Sequence, residues 1–318
     1  MTYQRLITGT SSLTLTMVLV QATIANATID ATIKTGPEIN ELSRKTTILI
    51  GIFDPQTKRL MGHGSGSIIS KQGDICFGLT NQHVVAPQGR SLPFIVTTYD
   101  KQSRQGGKAV AFRDQDLAVI EFECKGNYEV VTLATYSLSE GQTVYVSGWP
   151  GTSSPNGDVV RQFTSGTIST ILEQPKYGYQ IGYTNVTKGG MSGGQVLDET
   201  GRLVGVHGLG VTDQAMINNK IGVDVKTGFN YGIPISFFMA NAGANGVNLD
   251  VLGLKVAYSA PQRSGNVTAI AQNSTPTEYP PSQEDRIQNI HKMLGVVDRL
   301  IDITNRGIRT FCSLFGRC

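Results

Sequence analysis

The chain has 318 residues, of which 39% are hydrophobic and 16% are charged. This balance is typical of a globular protein with a substantial core, and the length exceeds that of one average domain. The net charge of +3 is too small to indicate binding to nucleic acid or to an anionic membrane surface.

The N-terminus has the pattern of an export signal. Arg5 precedes an apolar stretch at 6–20 that polar residues dilute, and Ala25-Asn26-Ala27 fits the small-x-small cleavage pattern. The apolar stretch is too weak to remain as an integral membrane span. We therefore predict a signal peptide over 1–27 and an extracytoplasmic protein, periplasmic or secreted. The alternative is an ordinary N-terminal helix.

After an N-terminal extension at 28–44, short apolar runs alternate with turns, a pattern typical of β-strands. The first set of strands is predicted at 46–53, 67–69, 76–79, 94–98, 108–113 and 117–123. The second set is predicted at 143–147, 163–171, 178–183, 194–197, 203–207 and 230–235. We expect an all-β fold of two six-stranded antiparallel β-barrels, at about 45–125 and 140–240, with the active site in the cleft between them. Residues 235–242 predict a closing helix.

The composition changes after residue 258. Four prolines among Ser, Thr, Asn and Gln predict a linker at 259–282. Residues 283–318 then carry apolar side chains at helical spacing, which predicts an amphipathic helix that ends near Gly307. The apolar stripe is shorter than a coiled coil needs. The helix would dock on its own domain or face a partner or membrane, and the pattern fits each.

One glycine-rich stretch, residues 187–194, places Ser192 among four glycines. Glycine disfavours helix and strand, so this stretch predicts a tight turn that exposes the hydroxyl and several backbone N–H groups. An acyl-transfer nucleophile with an oxyanion hole needs that geometry. Upstream, His83 and Asp116 each lie at the edge of a predicted strand, and the order His, Asp, Ser is one known for a catalytic triad. The alternative is a surface histidine, a strand-capping aspartate and an ordinary serine turn.

The cysteines are Cys76, Cys124, Cys312 and Cys318. An even number in a chain with an export signal favours disulfide bonds. Cys76 lies on the strand that leads to His83 and Cys124 on the strand that leaves Asp116, so we predict a bridge between them, with two buried free thiols as the alternative. Cys312 and Cys318 would close a second, short loop. The scattered histidines and the lack of a C-x-x-C motif predict no metal site, and we expect no cofactor.

Three motifs carry a family resemblance: T-N-Q-H-V-V around His83, D-L-A-V-I from Asp116, and G-M-S-G-G at 190–194. They resemble trypsin-like (chymotrypsin-fold) serine peptidases, above all the bacterial glutamyl endopeptidases and periplasmic trypsin-like proteases. Segments 64–69 and 148–151 are similar to other signatures of that family, and the resemblance spans about 45–258. Three features depart from it. Met191 replaces the aspartate found in digestive members, Gln195 replaces the usual proline, and no cysteine pair flanks His83.

The resemblance implies a serine endopeptidase that cleaves polypeptides through an acyl-enzyme. His83 would act as general base for Ser192, Asp116 would orient the imidazole, and the backbone N–H groups of Gly190 and Ser192 would form the oxyanion hole. The competing class is a catalytically silent binding module on the same fold, acting through its C-terminal tail. The complete triad favours the enzyme.

Substrate preference is predicted from two positions. The position that holds an acidic residue in trypsin is Val186, so cleavage after Arg or Lys is not expected. Thr187 and His207 occupy the threonine and histidine positions of glutamyl endopeptidases, which implies that they bind the carboxylate of a P1 glutamate. The alternative is that Thr187 shapes its loop and His207 is a packed strand residue. His63 and His291 are expected to be structural or surface residues.

Overall fold

The computed structural model describes residues 32–86, 90–151, 154–217 and 220–261. Four predictions concern residues outside these ranges: the signal peptide, most of the linker, the tail helix with His291, and the Cys312–Cys318 pair. Within the described ranges, no helix has the length and apolar character that crossing a membrane requires.

The first barrel consists of six antiparallel strands. They are β1 (Thr47–Phe53), β2 (Leu60–Gln72), β3 (Ile75–Thr80), β4 (Phe94–Thr97), β5 (Ser103–Ala111) and β6 (Ala118–Glu123). They close in the order β1-β2-β3-β6-β5-β4. Alternate residues of β1, namely Ile48, Ile50 and Ile52, point into the buried core, as the two-residue period of a strand requires.

The second barrel follows a two-residue strand, β7 (Leu133–Ala134). Its strands are β8 (Thr143–Gly148), β9 (Gln162–Lys176), β10 (Tyr179–Tyr183), β11 (Gln195–Leu197), β12 (Leu203–Ile217) and β13 (Lys220–Pro234). Because β11 pairs with both β8 and β12, the six strands β8 to β13 close into a ring. A last short strand, β14 (Val256–Ala257), pairs in parallel with β7. The predicted two-barrel, all-β fold is therefore confirmed.

Each strand predicted for the barrels occurs, but several are longer than predicted. The prediction for β2 covered 67–69, whereas the strand begins at Leu60. Residues 60–62 are exposed, as are many residues of β9. Arms of a hairpin that extend beyond the core bury neither face, so they lack the apolar alternation by which a strand is recognised.

Four short helices complete the described part of the chain. They are α1 (Gly36–Thr46), α2 (Gln82–Val85), α3 (Ile235–Asn241) and α4 (Leu249–Leu252), with a 3₁₀ turn at Gly243–Asn245. α3 is the predicted closing helix, and its Phe238 packs in the core with Phe112 at 6.0 Å between ring centroids. α1 falls in the segment interpreted above as an extension. It begins where the Thr35 N–H donates to the Glu38 carboxylate at 2.7 Å.

The predicted bridge between Cys76 and Cys124 is present. Their Cα atoms lie 5.6 Å apart, and both side chains are fully buried. Cys76 lies on β3 and Cys124 directly after β6, so the bond joins the two paired strands that lead to His83 and from Asp116.

Removing this bridge should lower stability. The bond closes a loop with a sequence separation of 48, and a loop of this size is expected to contribute about 2–4 kcal/mol through the unfolded state. We expect Cys76→Ser/Cys124→Ser to have a free energy of unfolding lower by that amount, measured as a lower denaturant midpoint. Wild-type protein unfolded with a thiol reductant should match the double variant. An unchanged unfolding midpoint in both would contradict the assigned role.

Candidate active site

His83 and Asp116 meet at one end of the first barrel. His83 lies on α2, directly after β3, and Asp116 lies just before β6. Because β3 and β6 are paired with Thr80 opposite Ala118, the two residues are neighbours. Nδ1 of His83 lies 2.6 Å from Oδ2 of Asp116, and the His83 backbone N–H donates to Oδ1 at 2.9 Å. This double contact fixes the ring and leaves its Nε2 available to another partner.

The Asp116 carboxylate also accepts a hydrogen bond from the Tyr179 hydroxyl on β10. The side-chain amide of Asn81 donates to the Asp116 backbone carbonyl at 2.8 Å. Burial alone would raise the pKa of Asp116, but the hydrogen bond and charge of His83 and the hydrogen bond of Tyr179 outweigh it and hold the pKa below its ordinary value. Burial and the same carboxylate raise the pKa of Tyr179, so its hydroxyl remains a donor.

Ser192 lies in the turn between β10 and β11, on the second barrel. Its side chain borders the same cleft as His83, together with Gly190 and His63. Its hydroxyl donates to the Gly208 carbonyl at 3.3 Å. Among the described residues, His83 Nε2 and Ser192 Oγ form no hydrogen bond. Such contacts are often long in the absence of substrate.

The serine turn is held by the first barrel. The backbone N–H of Ser65, on β2, donates to the Ser192 carbonyl at 2.7 Å, and the Ser65 hydroxyl donates to the Gly190 carbonyl at 2.9 Å. The same hydroxyl accepts from the Trp149 N–H at 2.8 Å. The sequence marked this segment only as a family strand signature, and the role of Ser65 was missed.

Two backbone N–H groups at the turn, those of Gly190 and Ser192, have no acceptor among the described residues. The Gly189 carbonyl accepts from the Gly151 N–H at 2.7 Å. In a trans peptide the C=O and the following N–H point in opposite directions, so the Gly190 N–H is directed away from Gly151. Within the described part of the chain, neither the Gly190 nor the Ser192 N–H donates to a protein acceptor. Gly190 has φ +95°, a conformation that suits glycine.

His207, on β12, is only 3% exposed. Its Nδ1 lies 2.7 Å from the Tyr183 hydroxyl, also buried. Burial lowers the pKa of His207 to about 3, and the charges of Lys226 and His83 act in the same direction. The imidazole is therefore neutral at physiological pH, with Nε2 as its remaining polar atom.

Thr187 is buried in the loop that precedes Ser192, and its hydroxyl donates to Oδ1 of Asn230. The amide of Asn230 is oriented by its own donation to the Asn185 carbonyl. Since a threonine hydroxyl has one proton, this conformation commits it to Asn230. The expectation that Thr187 donates to a substrate therefore requires a rearrangement. The Lys226 ammonium donates to the Thr187 carbonyl at 3.1 Å.

Asn185 anchors the start of this loop. Its side chain is fully buried, and its amide nitrogen donates to the carbonyls of Val144 at 3.2 Å and Thr164 at 2.9 Å. The loop is thereby fixed to β8 and β9.

His63, expected to be structural or on the surface, lies in the cleft wall. Its Nε2 is 3.0 Å from the Trp149 carbonyl oxygen. A Cβ on Gly190 would lie 2.5 Å from the same Nε2, so the ring packs closely against the turn.

The chain matches a protein-family model and solved structures. Residues 64–206, which include His83, Asp116 and Ser192, match the model of the trypsin-like peptidase domain. The chain is similar to the crystal structure of the serine endoprotease from Yersinia pestis, with a TM-score of 0.50 and 19% identity over 67% of each chain, a likeness that concerns the fold alone. A search of curated proteins found no match. Residues 64–206, which carry the motifs around the cleft, are therefore similar to a trypsin-like peptidase domain.

Proposed function

We propose that the protein is an exported serine endopeptidase that cleaves polypeptides by means of Ser192, His83 and Asp116. The observation that carries this proposal is the Asp116–His83 pair, which lies across one cleft from the Ser192 hydroxyl. The predicted export signal and the buried Cys76–Cys124 disulfide support the proposed extracytoplasmic location.

His83 is the proposed general base and acid. An ionised Asp116 that accepts from Nδ1–H keeps the Nε2 lone pair free to take the Ser192 proton. The Ser192 hydroxyl first leaves the Gly208 carbonyl and turns toward His83. Its oxygen then attacks the peptide carbonyl, and His83 delivers the proton to the leaving amine. Water, activated by His83, hydrolyses the acyl-enzyme.

The N–H groups of Gly190 and Ser192 are the proposed oxyanion hole. Both are unpaired among the described residues and adjoin the nucleophile. Donors already in place stabilise the negative charge of the tetrahedral intermediate without reorganisation.

For substrate preference we propose glutamate at P1, with Thr187 and His207 in the pocket. Neutral His207 can donate from Nε2–H to a carboxylate if the Tyr183 hydroxyl donates to Nδ1. A pocket with such a donor rejects a substrate that leaves it unpaired.

The first prediction concerns the triad. Ser192→Ala and His83→Ala should each abolish hydrolysis while the protein remains folded, and the double variant should be scarcely worse, because triad residues act as a unit. Peptide turnover and labelling by a fluorophosphonate probe measure this. Appreciable turnover by purified Ser192→Ala would refute the mechanism. Folded wild-type protein that never reacts with the probe would indicate the silent binding module.

The second prediction concerns the oxyanion hole. In Gly190→Ala, the new Cβ would lie 2.5 Å from His63 Nε2 and 2.7 Å from the Trp149 carbonyl oxygen, so the peptide must move. We expect kcat to fall by about 10²–10³-fold. The control is Gly141→Ala, because Gly141 also has a positive φ (+81°) but no atom within 4 Å of the added Cβ. Equal losses in the two variants would mean that backbone strain alone causes the effect.

The third prediction concerns His207. His207→Ala should reduce the ratio of kcat/KM for P1 Glu over P1 Gln, by up to about 10⁴-fold if the donor is fully buried on binding, and leave probe labelling intact. Because burial holds the pKa of His207 at about 3, its protonation is constant from about pH 5.5 to about pH 8, and the Glu/Gln ratio should be constant there. Equal cleavage after Ala, Val and Glu, unchanged in His207→Ala, would indicate an apolar pocket with a packed histidine.

A further inference from the structure

We propose that Lys226 supplies the positive charge that receives the carboxylate of a P1 glutamate. This inference rests on the proposed peptidase function and names the charged group of its specificity pocket. A carboxylate that enters a partly buried site loses hydration, and hydrogen bonds from neutral groups offset only part of that cost. A site that prefers Glu over Gln therefore needs a cation or several donors close to the nucleophile.

The two residues predicted for this task bring no charge. His207 is buried and neutral, with Nδ1 already paired to the Tyr183 hydroxyl. The single hydroxyl proton of Thr187 goes to Asn230. At most one N–H, that of His207, is left for a substrate, so the two residues leave a bound carboxylate without a counter-charge.

Lys226 reaches this place from β13. Its Nζ lies 3.1 Å from the Thr187 carbonyl oxygen and 3.5 Å from the Thr187 hydroxyl oxygen. On the opposite side is Gly210 of β12, where an added Cβ would lie 2.7 Å from Nζ. The ammonium group is thus held between the loop that leads to Ser192 and the strand that leaves Gly208.

The two segments that Lys226 contacts adjoin the serine turn. Thr187 precedes Ser192 by five residues. Gly210 comes two residues after Gly208, whose carbonyl accepts a hydrogen bond from the Ser192 hydroxyl. A side chain that extends from an acylated Ser192 between these two segments meets the ammonium group. A side chain at position 210 would displace the flexible end of Lys226 from this place.

Among the side chains that the structure describes, which exclude those of 213–225, no acidic group forms an ion pair with Lys226. Its described partners are oxygen atoms of Thr187, which leaves N–H donors for an anion. Partial burial lowers the pKa of Lys226 below its ordinary value although the residue remains exposed, and no acidic partner among the described side chains opposes this effect. A glutamate carboxylate supplies that partner.

The test compares variants at position 226 in the full-length protein. Lys226→Met keeps the aliphatic stem and removes the charge, and Lys226→Arg keeps the charge. Lys108→Met, on β5 of the other barrel, is the matched control. For each we would measure the Tm, the rate of fluorophosphonate labelling, and kcat/KM on peptides that differ only in P1 Glu or Gln.

We expect Lys226→Met to lower the Glu/Gln ratio by about 10- to 100-fold, the range for a lost hydrogen bond to a charged group, with the Tm and labelling rate unchanged. Lys226→Arg should retain most of the ratio, and Lys108→Met all of it. Lys226→Glu should raise cleavage after P1 Lys relative to P1 Met, an outcome that a merely structural lysine would not produce.

Three results would overturn the inference. A wild-type Glu/Gln ratio of kcat/KM near one, or a ratio unchanged in Lys226→Met, excludes Lys226 as the carboxylate receptor. If Ser192 is still labelled in those cases, the proposed peptidase function is unaffected. Absence of labelling in folded wild-type protein removes the proposed function itself, and the role of Lys226 with it.

Discussion

The candidate site depends on hydrogen bonds that each barrel makes to the site residues of the other barrel. Ser65 of the first barrel binds the carbonyls of Gly190 and Ser192 and so fixes the serine turn of the second. Tyr179 of the second barrel donates to Asp116 of the first. These bonds add to the contacts that each barrel makes to its own part of the site. The placement of the two halves of the candidate site relative to each other therefore depends on contacts between the barrels.

The strand behind the serine turn is tied to the N-terminal helix. Gln195, which replaces the usual family proline, donates to the Thr46 hydroxyl at 2.8 Å and accepts from the Thr47 hydroxyl at 3.0 Å. Thr47 also lies 2.9 Å from Ser147, to which Arg161 donates at 2.7 Å. A proline would have none of these side-chain bonds. Gln195 therefore takes part in a hydrogen-bond network that joins β11 to α1 and β1 and that a proline could not join through its side chain.

Local pattern and motif predict much of this protein. Apolar alternation locates the barrel strands, and three short motifs locate His83, Asp116 and Ser192. The contacts of Ser65, Tyr179 and Lys226 were not predictable in the same way, because each joins segments that are distant in the chain. Periodicity tells which face of a strand is buried, but the partner across a cleft depends on barrel closure and on the register of the long β12–β13 hairpin. The helix α1 is different, since its Thr35–Glu38 capping pair was legible in the sequence and was overlooked.

The buried Asn185 has a consequence for where this chain can be made. Asn185-Val186-Thr187 has the sequence of an acceptor for N-linked sugar. In the folded protein, both N–H groups of the Asn185 amide are in use, and the side chain has no exposed surface. A sugar attached to the nascent chain would replace one of these hydrogens and prevent the loop from closing on β8 and β9. Glycosylation of Asn185 is therefore incompatible with the folded structure, and sugar transfer to the nascent chain in a eukaryotic secretory pathway would compete with folding.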